Sequence, residues 1–502
     1  MKKQLTKMSA LAVVAILGAN ALMGGSTLAA ASNPNHKNIV AAKADYGIYE
    51  KAIQELIRQG VLQGYAGSKM KSEQNVTRAE LAKMVVLALQ LESKKSGSTS
   101  MQDVNPGDWY QSYVNTIVEL GGMSGDNGKF LPNKPVTHAE LSQVVAKALQ
   151  RDVMSVQYWM KGMFSANKFA TRGETSQLLL TAQKSIRSEA AKITSIRSLN
   201  KVTMELTFDR PMTMEDESLD VSLKNFVFDH DLAIVNQPRL KTGSFSTYIL
   251  PTKTQMAGTT YTLNYKGRQS VNVEGNEELI RTNEARQVDN DSFEIEILKS
   301  DSVTDYGYVI SAYSAGRGKN AFILDENNMY NGQPFQIVSS LRSRSVTITP
   351  DGGEPMTAAY LPFTQSTDGK QEPKFRLPNG EKFKSGVKYT VTSDWLEIKN
   401  PTFIAQETAP LQIMSVSQGD AATLNVTLAN DPGDEIFVSR EVKLIGSDGS
   451  ELKAQYTLQS RKGATGKFAL QNGAKLVAGV TYSVQPVGDW AVASNELMIT
   501  VK

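Results

Sequence analysis

Thr77-Arg78-Ala79-Glu80, Thr137-His138-Ala139-Glu140 and Thr171-Arg172-Gly173-Glu174 are three copies of one four-residue pattern. Leu81, Met84, Val85, Ala88 and Leu89 follow the first copy, and Leu141, Val144, Val145, Ala148 and Leu149 follow the second. Apolar residues at i, i+3, i+4, i+7 and i+8 form one face of a helix. Thr at the N-cap with Glu at N3 is a capping box, which satisfies two backbone donors at the helix start reciprocally. The N1 residue between them is Arg78, His138 or Arg172. A cation gains nothing from the positive end of a helix dipole. A basic side chain repeated there, beside free N–H groups, predicts a place that receives an anion.

Outward from these starts, two helix–loop–helix units repeat. In the first, Ile48 to Ile57 is a helix candidate, followed by Gly60-Val61-Leu62-Gln63-Gly64 and the helix at Thr77. In the second, Trp109 to Leu120 plays that part, followed by Gly121-Gly122-Met123-Ser124-Gly125, Phe130-Leu131-Pro132 and the helix at Thr137. The third unit is compressed, with its first helix around Val156 to Phe164. Repeats of this kind need neighbours to close their core.

From about Ala190 the texture becomes alternating, as in Thr203-Met204-Glu205-Leu206-Thr207-Phe208, and reads as strand to the end of the chain. A second repeat lies within it: Ala257-Gly258-Thr259-Thr260-Tyr261, Ser385-Gly386-Val387-Lys388-Tyr389 and Ala478-Gly479-Val480-Thr481-Tyr482. Each copy reads as a glycine turn entering a late strand. Three copies imply three related β modules, at 191–288, 289–409 and 410–502, each near the size of a β-sandwich. The middle one is the longest and carries insertions around Asn320–Asn331 and Thr364–Lys374. Tyr261, Tyr389 and Tyr482 are read as sandwich-core or corner residues.

The first 31 residues read as a secretory signal. Lys2, Lys3 and Lys7 precede an apolar stretch and the small residues Ala29-Ala30-Ala31, and a polar leader spans 32–44. Export without a later membrane span is expected. The formal charge of +3 falls to zero once the three signal lysines are removed, which argues against nucleic acid as a partner. The absence of cysteine excludes disulfides and thiolate chemistry. Three widely separated histidines, His36, His138 and His230, make a multi-histidine metal site an unpromising reading. No cofactor is expected. Asp289-Asn290-Asp291 and Asp325-Glu326-Asn327-Asn328 could offer oxygen ligands to Ca²⁺, but lack the spacing of a known loop and read as solvated turns.

Residues 45–187 resemble the S-layer homology family of wall-anchoring modules, in the divisions 45–94, 101–150 and a degenerate 151–187. The second unit carries the fullest likeness, through Asp103, Trp109, Gly121, Gly125, Phe130, Pro132, Thr137 and Glu140. The resemblance implies an all-α three-repeat helical prism whose grooves bind secondary cell-wall polymer on Gram-positive peptidoglycan. It points to Arg78, Arg172, His138, Trp109, Asp103, Gly64 and Gly125 as polymer-binding candidates. Beside that stand plainer readings: Arg78 and Arg172 as solvated helix starts, Trp109 as core, and Asp103 as a turn cap. Gly64 and Gly125 are read as turn positions with positive φ. The β region resembles, more loosely, the Ig-like modules of such surface proteins. The fold expectation is therefore multidomain, a helical prism followed by all-β Ig-like sandwiches. The function expectation is a non-enzymatic S-layer-type protein of the cell wall that self-assembles through its β modules. The alternative is a wall-anchored enzyme or carbohydrate-binding protein with its active surface in 289–409.

Overall fold

The computed structural model describes residues 46–64, 70–93, 101–297, 322–362, 372–378, 380–433, 436–493 and 495–501. The signal segment 1–31 and leader 32–44 lie outside the described residues, as does 364–371 of the expected insertion. Among the described residues no helix is long and apolar enough to cross a membrane.

Among the described residues, six α-helices build the N-terminal region: α1 Tyr46–Arg58, α2 Arg78–Ala88, α3 Gln111–Glu119, α4 His138–Leu149, α5 Val153–Trp159 and α6 Arg172–Ala182. Capping boxes form at Thr77, Thr137 and Thr171, each with its Glu at N3. Leu56, Val85, Ile117, Val145, Val156 and Leu179 from all three units share one buried core. The units also close on each other through the backbone. The Val76 N–H donates to the Ala170 carbonyl (3.0 Å), that of Ala170 to Val136 (2.9 Å) and that of Val136 to Val76 (3.0 Å). This three-membered ring leaves none of the three units independent of the others.

The rest of the described chain is mainly β, with one short α-helix at Leu219–Asn225. In its first part, Ile193–Asn200, Thr203–Phe208, Thr247–Pro251 and Arg239–Leu240 form one sheet in that order. Phe226–Phe228, Thr260–Tyr265 and Gln269–Glu274 form another. Met204, Leu206, Phe208, Tyr248 and Leu263 are buried together in its core. The next two parts each contain an eight-stranded sheet, one from Ile280 to Ile404 and one from Leu411 to Thr500. With strands counted along the chain, both sheets read 7-1-2-5-4-3-6-8, and strand 7 runs parallel to strand 1 in each. Identical order in two consecutive segments makes them copies of one architecture.

One boundary needs correction. Strand Ile280–Gln287, placed in the first module by the 191–288 division, pairs instead with Ser292–Ile297 and Leu396–Asn400. Its ladder hydrogen bonds are therefore made inside the second part.

The repeated tyrosines explain why the glycine turn recurs. Gly258, Gly386 and Gly479 hold φ of +69°, +81° and +81°. Tyr261, Tyr389 and Tyr482 are buried. Their hydroxyls accept from backbone N–H groups five residues upstream: Met256 (2.9 Å), Lys384 (3.0 Å) and Val477 (3.3 Å). A tyrosine bonded back to upstream backbone pins the corner where a chain enters a strand.

Polar stitches join the parts. Trp159 Nε1 donates to the Gly243 carbonyl, and the Gly243 N–H to Ser155 Oγ, both at 2.8 Å. Arg344 donates to the Thr252 carbonyl at 2.8 Å, and Arg440 grips Asp291 through two bonds of 2.8 and 2.9 Å.

Candidate functional site

The helix starts do not offer free anion sites. The N1 and N2 N–H groups of each capped helix donate to carbonyls of another unit's loop. Arg78 and Ala79 reach Lys134 and Pro132; His138 and Ala139 reach Lys168 and Ala166; Arg172 and Gly173 reach Gln74 and Ser72, all at 2.8 to 3.2 Å. The next donor, at N3, goes to the capping threonine. The positive helix end is spent on joining units. That join also explains glycine in the third motif: a Cβ at Gly173 would lie 2.9 Å from Tyr49 Cβ.

The basic N1 side chains have divergent fates. Arg78 is only 7% exposed. Its Nε donates to the Phe130 carbonyl and its Nη2 to the Ser124 carbonyl, both at 2.7 Å, while Nη1 reaches Glu140 at 3.2 Å. Its guanidinium lies 4.7 Å over the Phe130 ring. Arg78 is thus a buried stitch between the first and second units, which corrects its reading as a ligand residue. His138 is fully buried. Its Nε2 faces Glu174 at 3.2 Å and its Nδ1 accepts from the Ser165 N–H. With no surface open to a ligand, His138 is a buried link between units, which corrects its reading as a polymer contact. Glu174 further holds Lys168 at 2.6 Å. Burial works to raise the Glu174 pKa, but hydrogen bonds from Lys168, the Thr171 N–H and His138 outweigh it and hold the carboxyl below its ordinary value.

Asp103 is a loop clamp. Its two oxygens accept the Phe130 and Leu131 N–H groups at 2.6 and 2.8 Å. Burial opposes its ionised form, yet these bonds win and keep its pKa low. Gly125 is needed for close approach, since a Cβ there would meet Met101 Sδ at 2.9 Å. Neither it nor Gly64 has positive φ; that role falls to Gly60 (+74°) and Gly121 (+65°). Asp103 and Gly125 therefore shape the second unit's loop.

Arg172, Trp109 and Gly64 are the candidates that the structure brings together. They line one groove of about 570 Å³ where the three units meet. Trp109 is 57% exposed and lines this groove, so the core reading fails. Its ring packs edge-on against Tyr110, and Lys83 Nζ sits 5.7 Å from its centroid. Arg172 enters from the start of α6, and its Nη2 holds the Gln63 carbonyl at 2.7 Å. That bond matches Arg78 to Ser124, because Gln63 precedes Gly64 as Ser124 precedes Gly125. Tyr113, Lys83 and Glu80 complete the groove's aromatic and charged lining. Tyr113 and Lys83 were missed from sequence, although Tyr113 lies one helical turn beyond Trp109 and Lys83 one turn beyond Glu80. An aromatic wall beside two cations and one carboxylate can hold a sugar face and an anionic substituent together.

The family model for the S-layer homology domain matches residues 43–82 and 101–142. Two segments of the chain are thus similar to the S-layer homology domain. The matched segments contain the Trp109 wall and the Gly64 loop, whereas Arg172 lies beyond them. The chain is 25% identical over 194 residues to the surface-layer 125 kDa protein of Lysinibacillus sphaericus, across 36% of this chain and 16% of that protein. It is 28% identical over 183 residues to the middle cell wall protein of Brevibacillus brevis, across 31% of this chain and 17% of that one. The chain thus spans about a sixth of the length of these two relatives. Endo-1,4-beta-xylanase A of Thermoanaerobacterium saccharolyticum is 32% identical over 93 residues, 18% of this chain and 8% of the enzyme, within the S-layer homology region. A crystal structure of the S-layer protein rSbsC(31-844) aligns over 91% of this chain and 73% of that one, at 11% identity and a TM-score of 0.16.

Beyond the S-layer homology region, the acidic clusters have partners. Asp291 is held by Arg440, Asp289 lies 3.7 Å from Arg440, and Glu294 holds Lys374 at 2.9 Å. Asp325 caps its own turn through the Asn327 and Met329 N–H groups. Asp289 and Asp291 are thus ion-pair partners at a buried joint, which corrects the solvated-turn reading of the first cluster, whereas Asp325 does sit in a turn of its own.

Proposed function

We propose that the groove between Arg172 and Trp109 seats secondary cell-wall polymer, and that the chain is a non-enzymatic structural protein of the Gram-positive surface. The convergence of Trp109, Arg172 and Gly64 on one open groove carries this reading. The wall holds the protein from the N-terminal third, which we read as a three-sided prism; the closed ring through Val76, Val136 and Ala170 supports that form. The β parts are Ig-like sandwiches, supported by their tyrosine corners. They assemble laterally with other copies. In the last sheet the end strands Ala491–Ala493 and Met498–Thr500 leave Val492 and Met498 45% and 47% exposed.

Co-sedimentation of the whole mature chain with purified sacculi tests the groove. Arg172→Ala should weaken retention by about 1.5–3 kcal/mol, the scale of a charged hydrogen bond. Trp109→Ala should cost about 1–2 kcal/mol through lost apolar contact. Retention unchanged in both variants, with normal circular dichroism, would place the polymer elsewhere.

A further inference from the structure

Where the first β part meets the inserted segment of the middle part, three side chains of unlike chemistry converge away from solvent. Glu205 stands on strand Thr203–Phe208, Lys241 follows strand Arg239–Leu240, and Asn328 ends the turn before strand Met329–Tyr330. They are 6%, 4% and 6% exposed. Lys241 Nζ donates to Asn328 Oδ1 at 2.6 Å, and Asn328 Nδ2 donates to Glu205 Oε2 at 3.3 Å. The same Glu205 oxygen lies 3.5 Å from Lys241 Nζ. An amine is thus set against an amide, with one carboxylate oxygen beside both nitrogens.

Each member is held from outside the trio. Arg197 grips the other Glu205 oxygen through Nε at 2.8 Å and Nη2 at 2.6 Å, which leaves Oε2 turned to the pair. The Asp325 carbonyl accepts a second bond from Lys241 Nζ at 2.6 Å. Asn328 is fixed at a φ of +61°, its N–H on the Asp325 carbonyl and its own carbonyl accepting from the Phe335 N–H. Burial pulls the Lys241 pKa below its ordinary value, against the opposing pull of Glu205. Desolvation is one of the ways a lysine amine becomes a nucleophile. Holding it against its target turns a bimolecular encounter into a unimolecular step.

We propose that Lys241 and Asn328 join through an intramolecular amide bond, with Glu205 carrying the protons. The Lys241 ammonium gives one proton to Glu205 Oε2, and the free Nζ adds to Asn328 Cγ. The proton that Nζ then sheds and the one on Glu205 pass to Nδ2, the Cγ–Nδ2 bond breaks, and ammonium leaves. A side-chain ammonium and a primary amide become a secondary amide and a free ammonium ion, so atoms and charge balance with no co-reactant. A carboxylate beside both nitrogens is what such a proton transfer needs. Glu205 and Lys241 also line a cavity of about 600 Å³, which gives the ammonium a way out. In a chain without cysteine, this bond staples the first β part to the middle one covalently.

Mass spectrometry of the whole mature chain, denatured after folding, tests the proposal. The expected mass is that of its sequence less one ammonia. Trypsin should then release a branched peptide that joins 240–253 to 320–342, because a modified Lys241 resists cleavage. Lys241→Arg and Asn328→Ala should each keep the full mass of their own sequences. Glu205→Gln should slow formation of the branched peptide about a hundredfold, the low end of what a general acid–base group contributes. The parent protein alone decides whether the bond forms, so a variant that misfolds does not shield the proposal. Full sequence mass in the parent after long incubation at neutral pH overturns it. So does an ammonia loss that maps to a succinimide within one peptide, as at Asn331-Gly332. A branched peptide that forms as fast in Glu205→Gln as in the parent overturns the assignment of Glu205 as proton carrier.

Discussion

Arg78 and Arg172 occupy the same position in the same motif, yet one is buried structure and the other lines a groove. The difference lies in partners far along the chain. Phe130 and Ser124 close over Arg78, whereas Arg172 has the Gln63 carbonyl on one side and an open groove on the other. Arg78→Ala should therefore unfold the protein more easily: loss of a buried, multiply bonded cation is expected to cost about 3 kcal/mol in urea denaturation. A loss below about 0.5 kcal/mol would return Arg78 to the solvated-cation reading. Glu174 makes a second test, through pH. Its folded pKa lies below the ordinary value of 4.5, so the unfolded chain takes up its proton first as pH falls. Its stabilising contribution is full above that value and is lost as pH drops through the folded one. Glu174→Gln should lower the melting temperature at neutral pH, and the gap to the parent protein should close in acid. A gap that stays constant with pH would mean that its charge contributes nothing.

At the scale of elements, local signals were read well and long-range ones poorly. The capping boxes and apolar helix faces need only residues within two turns, so α2, α4 and α6 were legible. The glycine–tyrosine turns were legible for the same reason, as the upstream bond spans five residues. Strand Ile280–Gln287 was assigned to the wrong module because its alternation says nothing about which neighbour it pairs with. The Trp109 wall of the groove was foreseen as one of two readings. A turn role for Asp103 and Gly125 was likewise one of two readings, but the burial of His138 against Glu174 was not foreseen, because that contact joins two units. The corners support a quantitative prediction. Tyr389→Phe leaves the Lys384 N–H unpaired and should cost about 1–3 kcal/mol. Tyr261→Phe should behave alike, and Tyr482→Phe should cost less, since its bond is the longest of the three at 3.3 Å. Chemical denaturation of the three single variants ranks them; equal costs would show that burial of the ring alone sets the corner.

At the scale of the whole molecule, the joints decide whether the chain behaves as one arm or as beads on a string. Between the second and third β parts, Arg440 holds Asp291 bidentately and Arg376 donates to the Val438 carbonyl at 2.6 Å. Burial raises the pKa of Asp289, and neighbouring Asp291 adds to that, while Arg440 opposes it. Asp291 itself stays low because Arg440 and Arg376 outweigh its burial. The joint is thus a desolvated cluster in which each cation is needed by an acid. Removing one partner strands the other, at a cost of about 3–5 kcal/mol, whereas removing both at once leaves no uncompensated charge. Arg440→Met should accordingly loosen the joint, making the 405–411 connection more open to limited proteolysis and broadening the maximum dimension in small-angle scattering. Arg440→Met combined with Asp291→Leu should recover much of the loss. Recovery would identify charge pairing as what fixes the angle between these parts, and so the spacing at which one copy could present its outer strands to the next. A double variant as loose as the single one would assign the joint instead to apolar contacts such as Leu361, whose side chain is buried in the core of the third part.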